Sequence, residues 1–388
     1  MLDRFLKTIT SLRLTVICLG FAVLLVFFGT VAQVNEGLYQ AQSRWFRSFF
    51  VYWGPAGASW RFPIFPGGYL IGTVLVLNLV AAHIKRFHLA WKKLGIHVTH
   101  GGIILLLVGQ LTTDLLSRET QMSFAEGESK NYSFSALNSE LVFATDSEKP
   151  GQEDVVSIPE KLLARQGEIR VPQLPFIVRV QRYHVNSDFR QRAPMMDTNP
   201  PPATAGFGPQ VTLFPLPETR EMDERNLPAV ILELVGPQGS LGTWLGQIRL
   251  REQEVRVGNR VWRMALRFER EYHPFTVQLL KTTHEKYRGT DIPKNFQSRV
   301  RIENPGNKGE AREVDIYMNS PLRYAGLTFY QYQMGRDEVD QNRGTSTLQV
   351  VRNPGWLTPY VGCALVGGGL VIQFLIHLVG FLKKRRTV

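Results

Sequence analysis

Apolar residues gather into four long stretches, Leu12–Val31, Gly68–Ala82, Leu94–Leu116 and Leu357–Leu382, with a polar region between the third and fourth. A hydrocarbon layer roughly 30 Å thick needs about 20 apolar residues in a helix to cross it, so each stretch reads as a membrane span. Gly68–Ala82 is the shortest, and an interfacial helix there would leave an odd number of crossings. Between Ser117 and Gly355 the period changes. Leu141–Thr145, Phe176–Val180, Ala229–Val235, Phe275–Leu280 and Arg299–Glu303 are rich in branched and aromatic residues, and most are bounded by Gly, Pro, Asn or Asp, which predicts strands. Pro194, Pro200, Pro201, Pro202, Pro209, Pro215 and Pro217 crowd one segment, which predicts a long exposed loop.

The pattern therefore predicts a membrane protein of four transmembrane α-helices with a mainly-β extracytoplasmic domain, a sandwich or open barrel, between the last two. Its regions are a three-span membrane domain over 1–116, the β-rich domain over 117–355, and a fourth span with a basic tail over 356–388. No internal repeat is visible.

Charge supports four crossings. Arg4, Lys7 and Arg13 precede the first span, Lys85, Arg86, Lys92 and Lys93 separate the second and third, and Lys383, Lys384, Arg385 and Arg386 follow the fourth. Basic clusters mark cytoplasmic loops, and only four spans put all three on one side, with both termini cytoplasmic and the β-domain outside. These eleven basic residues less Asp3 supply +10 of the formal +12, so the basic character reports topology and gives no support for nucleic-acid binding. The first span follows a basic start, yet it is long for a signal peptide and Gly29-Thr30-Val31-Ala32-Gln33 is a poor cleavage site, which predicts a retained helix. The loop 35–66 carries Trp45, Phe46, Phe49, Phe50, Tyr52, Trp53, Trp60, Phe62 and Phe65, which suit either an interfacial aromatic belt or stacking on a flat ligand.

Candidate chemistry is sparse. Cys18 and Cys363 both fall in spans, and no CxxC, paired-carboxylate, zinc-type or phosphate-loop motif occurs. Gly367-Gly368-Gly369 reads as a small-residue packing face. His184, His273 and His284 are scattered through the β-domain and read as surface or structural histidines. His97 and His100 differ, because they lie inside the third span near its cytoplasmic end. An ionisable residue at membrane depth faces protein or cofactor, and imidazole is a haem-iron ligand, although two such rings also serve as interhelical contacts.

The segment Met318-Asn319-Ser320-Pro321-Leu322-Arg323-Tyr324-Ala325-Gly326-Leu327-Thr328-Phe329-Tyr330-Gln331 resembles the signature of the ResB/CcsB family of System II cytochrome c biogenesis. Ser11-Leu12-Arg13-Leu14-Thr15, Gly29-Thr30 with Gln33, Pro274-Phe275, Tyr287-Arg288-Gly289-Thr290, Pro293, Phe296, Ser298 and Asn353-Pro354-Gly355 follow the family pattern in order. Read physically, Asn319-Ser320-Pro321 is a turn, Gly326 a second bend, and Leu327–Tyr332 a strand. Asn319, Pro321, Arg323, Tyr324, Gly326, Tyr330 and Gln331 then suit a partner surface or a hydrogen-bonded structural corner.

The resemblance implies a non-autonomous component of a holocytochrome c synthase in the bacterial inner membrane, working with a CcsA/ResC-like membrane protein and apocytochrome c among membrane lipid. The chain's end soon after the fourth span reads as the separate subunit. Haem b would be taken from the cytoplasmic side and presented outside for attachment to CxxCH motifs. A scaffold for apocytochrome and partner that touches no haem is the alternative. The family's intramembrane haem histidine opens the third span, which implies His100, followed by Gly101-Gly102, as axial ligand, with His97 in reserve. The second ligand would come from the partner or from His377.

Overall fold

The computed structural model describes residues 2–55, 60–85, 90–147, 149, 151–193, 197, 199–219, 225–289, 293–306, 311–337 and 340–386; Arg86, Pro194 and Thr290, named above, lie outside these. The chain forms two compact units, Met1–Arg118 with Arg352–Val388, and Glu119–Thr219 with Asp223–Val351.

Among the described residues of the first unit, four helices are long and apolar enough to cross a membrane: α1 (Leu12–Glu36), α2 (Gly68–Lys85), α3 (Leu94–Leu116) and α4 (Thr358–Arg386). The second apolar stretch thus extends past Ala82 to Lys85, which gives it the 18 residues its sequence core lacked. Ser11 starts α1, its hydroxyl accepting the Leu14 N–H at 3.2 Å, and Gly37 at φ 74° ends it. Asn78, 2% exposed within apolar α2, accepts from the Thr15 hydroxyl at 2.6 Å and donates to the carbonyls of Ile9 and Ser11 at 2.5 and 3.2 Å. One buried amide thereby holds the start of α1 with no group left unmet.

The α3–α4 seam is built from small residues. Gly95, Gly102 and Gly109 are buried and seven apart, so they share one helix face. A Cβ at Gly102 would lie 2.8 Å from the Gly362 carbonyl oxygen, and one at Gly369 would meet the Thr99 hydroxyl at 2.5 Å. Absent side chains let these backbones touch. Gly369 confirms the packing role read for its triplet, whereas Gly367 and Gly368 face open space.

The aromatic loop divides. Trp45 stacks on Phe28 at 6.2 Å between centroids, and Phe65 packs edge-on against Phe21 at 5.6 Å, so these rings serve the molecule's own core against α1. Phe50, Tyr52, Trp53 and Phe62 lie exposed on a hairpin, Phe50–Trp53 with Phe62–Pro66.

The second unit is built from β1 (Arg118–Ala125), β2 (Ser129–Asp146), β3 (Ile177–His184), β4 (Ala229–Gly236), β5 (Gly239–Gln247), β6 (Arg260–Lys286), β7 (Pro293–Glu303), β8 (Ala311–Tyr317), β9 (Leu322–Tyr324), β10 (Leu327–Arg336) and β11 (Gly344–Arg352), with shorter strands beside them. Every strand segment expected above lies in one of these, apart from Phe176 just before β3. β5, β4, β3 and Gly167–Ile169 form one sheet, and β8-β7-β6-β2-β1-β11-β10-β9 run in order through a larger one.

β4 is apolar from Ala229 to Leu232 because both faces are covered there: Val230, Leu232 and Leu234 enter one core while Ala229 and Ile231 enter another. β6 joins two cores. Trp262, Met264 and Leu266 face the first, the register slips between Phe268 and Arg270 and between Tyr272 and Val277, and Phe275, Val277 and Leu279 face the second. Around that second core the larger sheet curls, since Ser298 of β7 reaches Gln331 of β10 and Ser346 of β11 at 2.7 and 2.8 Å although these strands are not sheet neighbours. Sandwich packing and an open curl therefore coexist. The proline-rich segment departs from expectation: Ala203 is 1% exposed, and Pro215 sits in Val211–Leu216, paired with Asn186–Gln191. An edge strand of a two-stranded ribbon tolerates the missing N–H.

Candidate functional site

The final turn of α2 and the first turns of α3 bring three imidazoles together: His83, His97 and His100. His97 Nδ1 and His83 Nε2 share a hydrogen bond of 3.3 Å, with the rings nearly perpendicular and 4.9 Å apart. His100 meets the His83 ring edge-on at 5.9 Å. His97 and His100 lie three residues apart on one helix face, and His83 from α2 faces both. All three are half-buried. Among the described residues, no hydrogen bond engages a ring nitrogen of His100, whereas His97 is held by His83.

The group is not arranged around a bare ion, for no cluster of three or more His, Cys, Asp or Glu among the described residues converges on a metal position. What it offers is individual imidazoles on a helix face, the form in which iron inside a macrocycle is ligated from one side. Gly101 beside His100 faces open space, whereas Gly102 is spent on the contact with α4. Of the two glycines, only Gly101 leaves room for a ligand.

His377 stands apart. It is exposed on α4, one turn beyond Gln373, whose amide reaches the Lys92 carbonyl at 3.2 Å just before α3 begins. It therefore lies below the start of α3, while His100 lies six residues above it, about 9 Å at 1.5 Å per residue. The two histidines thus lie at different depths, as α4 packs against α3 with Gly369 opposite Thr99.

His83 was missed as a site residue. Its signal was present in the sequence, an imidazole at the end of an apolar stretch beside basic residues, like those of His97 and His100. Asp114, near the opposite end of α3, was also overlooked; its side chain is 9% exposed and binds Arg47 Nε at 2.6 Å and the Tyr69 hydroxyl.

The long motif resolves into structure. Asn319, at φ 62°, with Ser320 and Pro321 turns the chain between β8 and β9, closed by the Ser320 N–H donating to the Tyr317 carbonyl at 3.0 Å. Ala325 and Gly326, at φ 50° and 76°, form the two-residue turn between β9 and β10. Tyr324 packs edge-on against Phe275 at 5.0 Å and its hydroxyl meets the Asn304 amide at 3.3 Å. Gln331 joins the buried Ser298 and Ser346. Arg323 and Tyr330 are exposed, as are Met318, Asn319, Ala325 and Gly326.

In the β-domain, His184 is held below its ordinary pKa by burial and then by Arg182, and His273 is buried beside Ser133 at 2.9 Å and stacked on Phe275. Both are structural, as expected.

Residues 229–343, which run from β4 to the start of β11 and include the whole motif, match the ResB-like family model. Protein NrfI of Wolinella succinogenes is 33% identical over 102 residues, 26% of this chain and 11% of that protein. The chain thus corresponds to a small part of that relative's length. Over residues 229–343, with the motif seated at the corner described above, the chain is similar to the ResB-like family.

Proposed function

We propose that this protein is a membrane subunit of a cytochrome c biogenesis complex that handles haem within the membrane and assists its attachment to apocytochrome c. The family match supports the process. The observation that carries haem handling is the cluster of His83, His97 and His100, in which His100 keeps both ring nitrogens uncommitted beside an open Gly101. Haem enters as cargo. His100 takes one axial position, the partner membrane protein supplies the other, and His83 fixes the ring of His97 as a neighbouring support. The apolar helix exposure, with Val23 at 70% and Phe374 at 65%, suits lipid contact along α1 and α4. In this reading the helices cross the bacterial inner membrane with both termini cytoplasmic and the β-domain outside, an orientation that the basic clusters support.

The test is purification of the chain with its partner and measurement of retained haem by absorption. His100→Ala lowers haem retention several-fold while His97→Ala does less, and added imidazole restores the band. A His100→Ala complex with normal abundance, full haem and normal cytochrome maturation overturns the assignment and favours the scaffold reading.

A further inference from the structure

At the opposite end of the helical unit lies a cavity of about 830 Å³ between α1, α2, α3 and the aromatic loop. That volume is in the range of small-molecule sites, roughly 300–1,000 Å³. Fourteen residues of α3, about 21 Å, separate its Asp114 from His100, so it is distinct from the histidine cluster.

Its lining is graded. Near the helix ends lie Asp114, Tyr69, Arg47 and Gln33; deeper lie Val76, Leu77 and Leu107. Val76 and Leu77 are about 12 Å from Gly68 along α2, so the lining grades from a polar end to an apolar one. Asp114 is already neutralised by Arg47 and bonded by Tyr69. A ligand bearing net charge would therefore sit uncompensated in an apolar wall, which is costly. By contrast, Gln33, Gln42 and Gln110 face the cavity with side-chain amides that have no hydrogen-bond partner among the described residues. Each supplies two donors and an acceptor. Gly72 faces the void, with nothing within 4 Å of the position a Cβ would take.

We propose that this cavity binds a prenylated quinone, an uncharged carbonyl-bearing ring on a single apolar tail, with the carbonyls on the glutamine amides and the tail against Val76, Leu77 and Leu107. The proposal shares with the preceding reading only the membrane-embedded helices, and its test does not depend on haem ligation. The full chain, copurified with its partner in detergent, is titrated with decyl-benzoquinone, with dioleoyl phosphatidylethanolamine as competitor and haem absorption recorded in parallel. One saturable quinone site per chain is expected. Gly72→Leu and Val108→Trp each fill the cavity from a different helix and should weaken binding at least tenfold while haem retention stays at the wild-type level; Gln33→Leu should weaken it less. Two variants guard against a folding defect in either. Absence of saturation, wild-type affinity in both filled variants, or displacement by the phospholipid at equal concentration overturns the proposal, the last by assigning the cavity to a two-chain lipid.

Discussion

At the scale of single residues, the two-residue turn Ala325-Gly326 makes the strongest stability claim. Both φ angles are positive, a geometry that glycine and asparagine adopt readily and alanine does not. Gly326→Val meets no neighbour, since nothing lies within 4 Å of its Cβ position, so its penalty is conformational. It should destabilise the protein by about 1–2 kcal/mol, visible in thermal unfolding and in abundance. Ala325→Asn should do the reverse, by about 1 kcal/mol or less. Tyr330→Phe should leave stability unchanged, because its side chain is exposed; normal abundance with lost cytochrome maturation in Gly326→Val would instead mark a partner surface. These roles were legible only in part. Asn319 and Gly326 announce turns by residue type, whereas Gln331 gave no hint that its amide would close a bridge to Ser298 and Ser346, strands remote in sequence.

Among the elements, the α3–α4 seam and the turn between β1 and β2 make separate predictions. Gly102→Leu must displace α4 backbone and should cost roughly 1–3 kcal/mol, as overpacked sites do, whereas Gly101→Leu should leave the helix pair intact and interfere only beside His100. Protein abundance and haem retention, measured together, separate the two effects. In the β1–β2 turn, burial pushes the Glu126 carboxyl up, but the Thr282 hydroxyl and N–H, the Gly344 N–H and Lys281 outweigh it and leave its pKa below the ordinary 4.5. A depressed carboxylate pKa contributes stability that is complete above the unfolded value and is lost as pH falls through the folded one. The unfolding temperature of the wild type should therefore decline below about pH 4.5, and Glu126→Gln should flatten that decline; an unchanged slope would refute the role of Glu126. Helix and strand positions were readable from periodicity because burial imposes it. The bend of β6 and the buried Ala203 were not, since they depend on which strand covers which face.

For the whole molecule, topology is the decisive measurement. Reporter fusions at Lys85 and after the basic tail should behave as cytoplasmic, and fusions within 35–66 or the β-domain as extracytoplasmic; a cytoplasmic β-domain would overturn the haem-handling proposal. The four apolar stretches were plain in the sequence, because a bilayer demands length and hydrophobicity that composition reveals directly. The convergence of His83 with His97 and His100 was not, for it depends on how α2 leans on α3. The α3–α4 seam carries one further implication. Gly109 lies against Thr358, and the Thr113 hydroxyl meets Asn353 Oδ1 at 3.2 Å, so the chain leaves α3 and returns to α4 at neighbouring points. The β-domain is thus an insertion between the arms of a helical hairpin, and hairpin tips with adjacent ends accept or lose whole domains with little effect on the arms. Joining Arg118 to Arg352 through a short glycine-serine linker should yield a miniature four-helix protein that still inserts, a detachable chassis onto which other modules can be grafted.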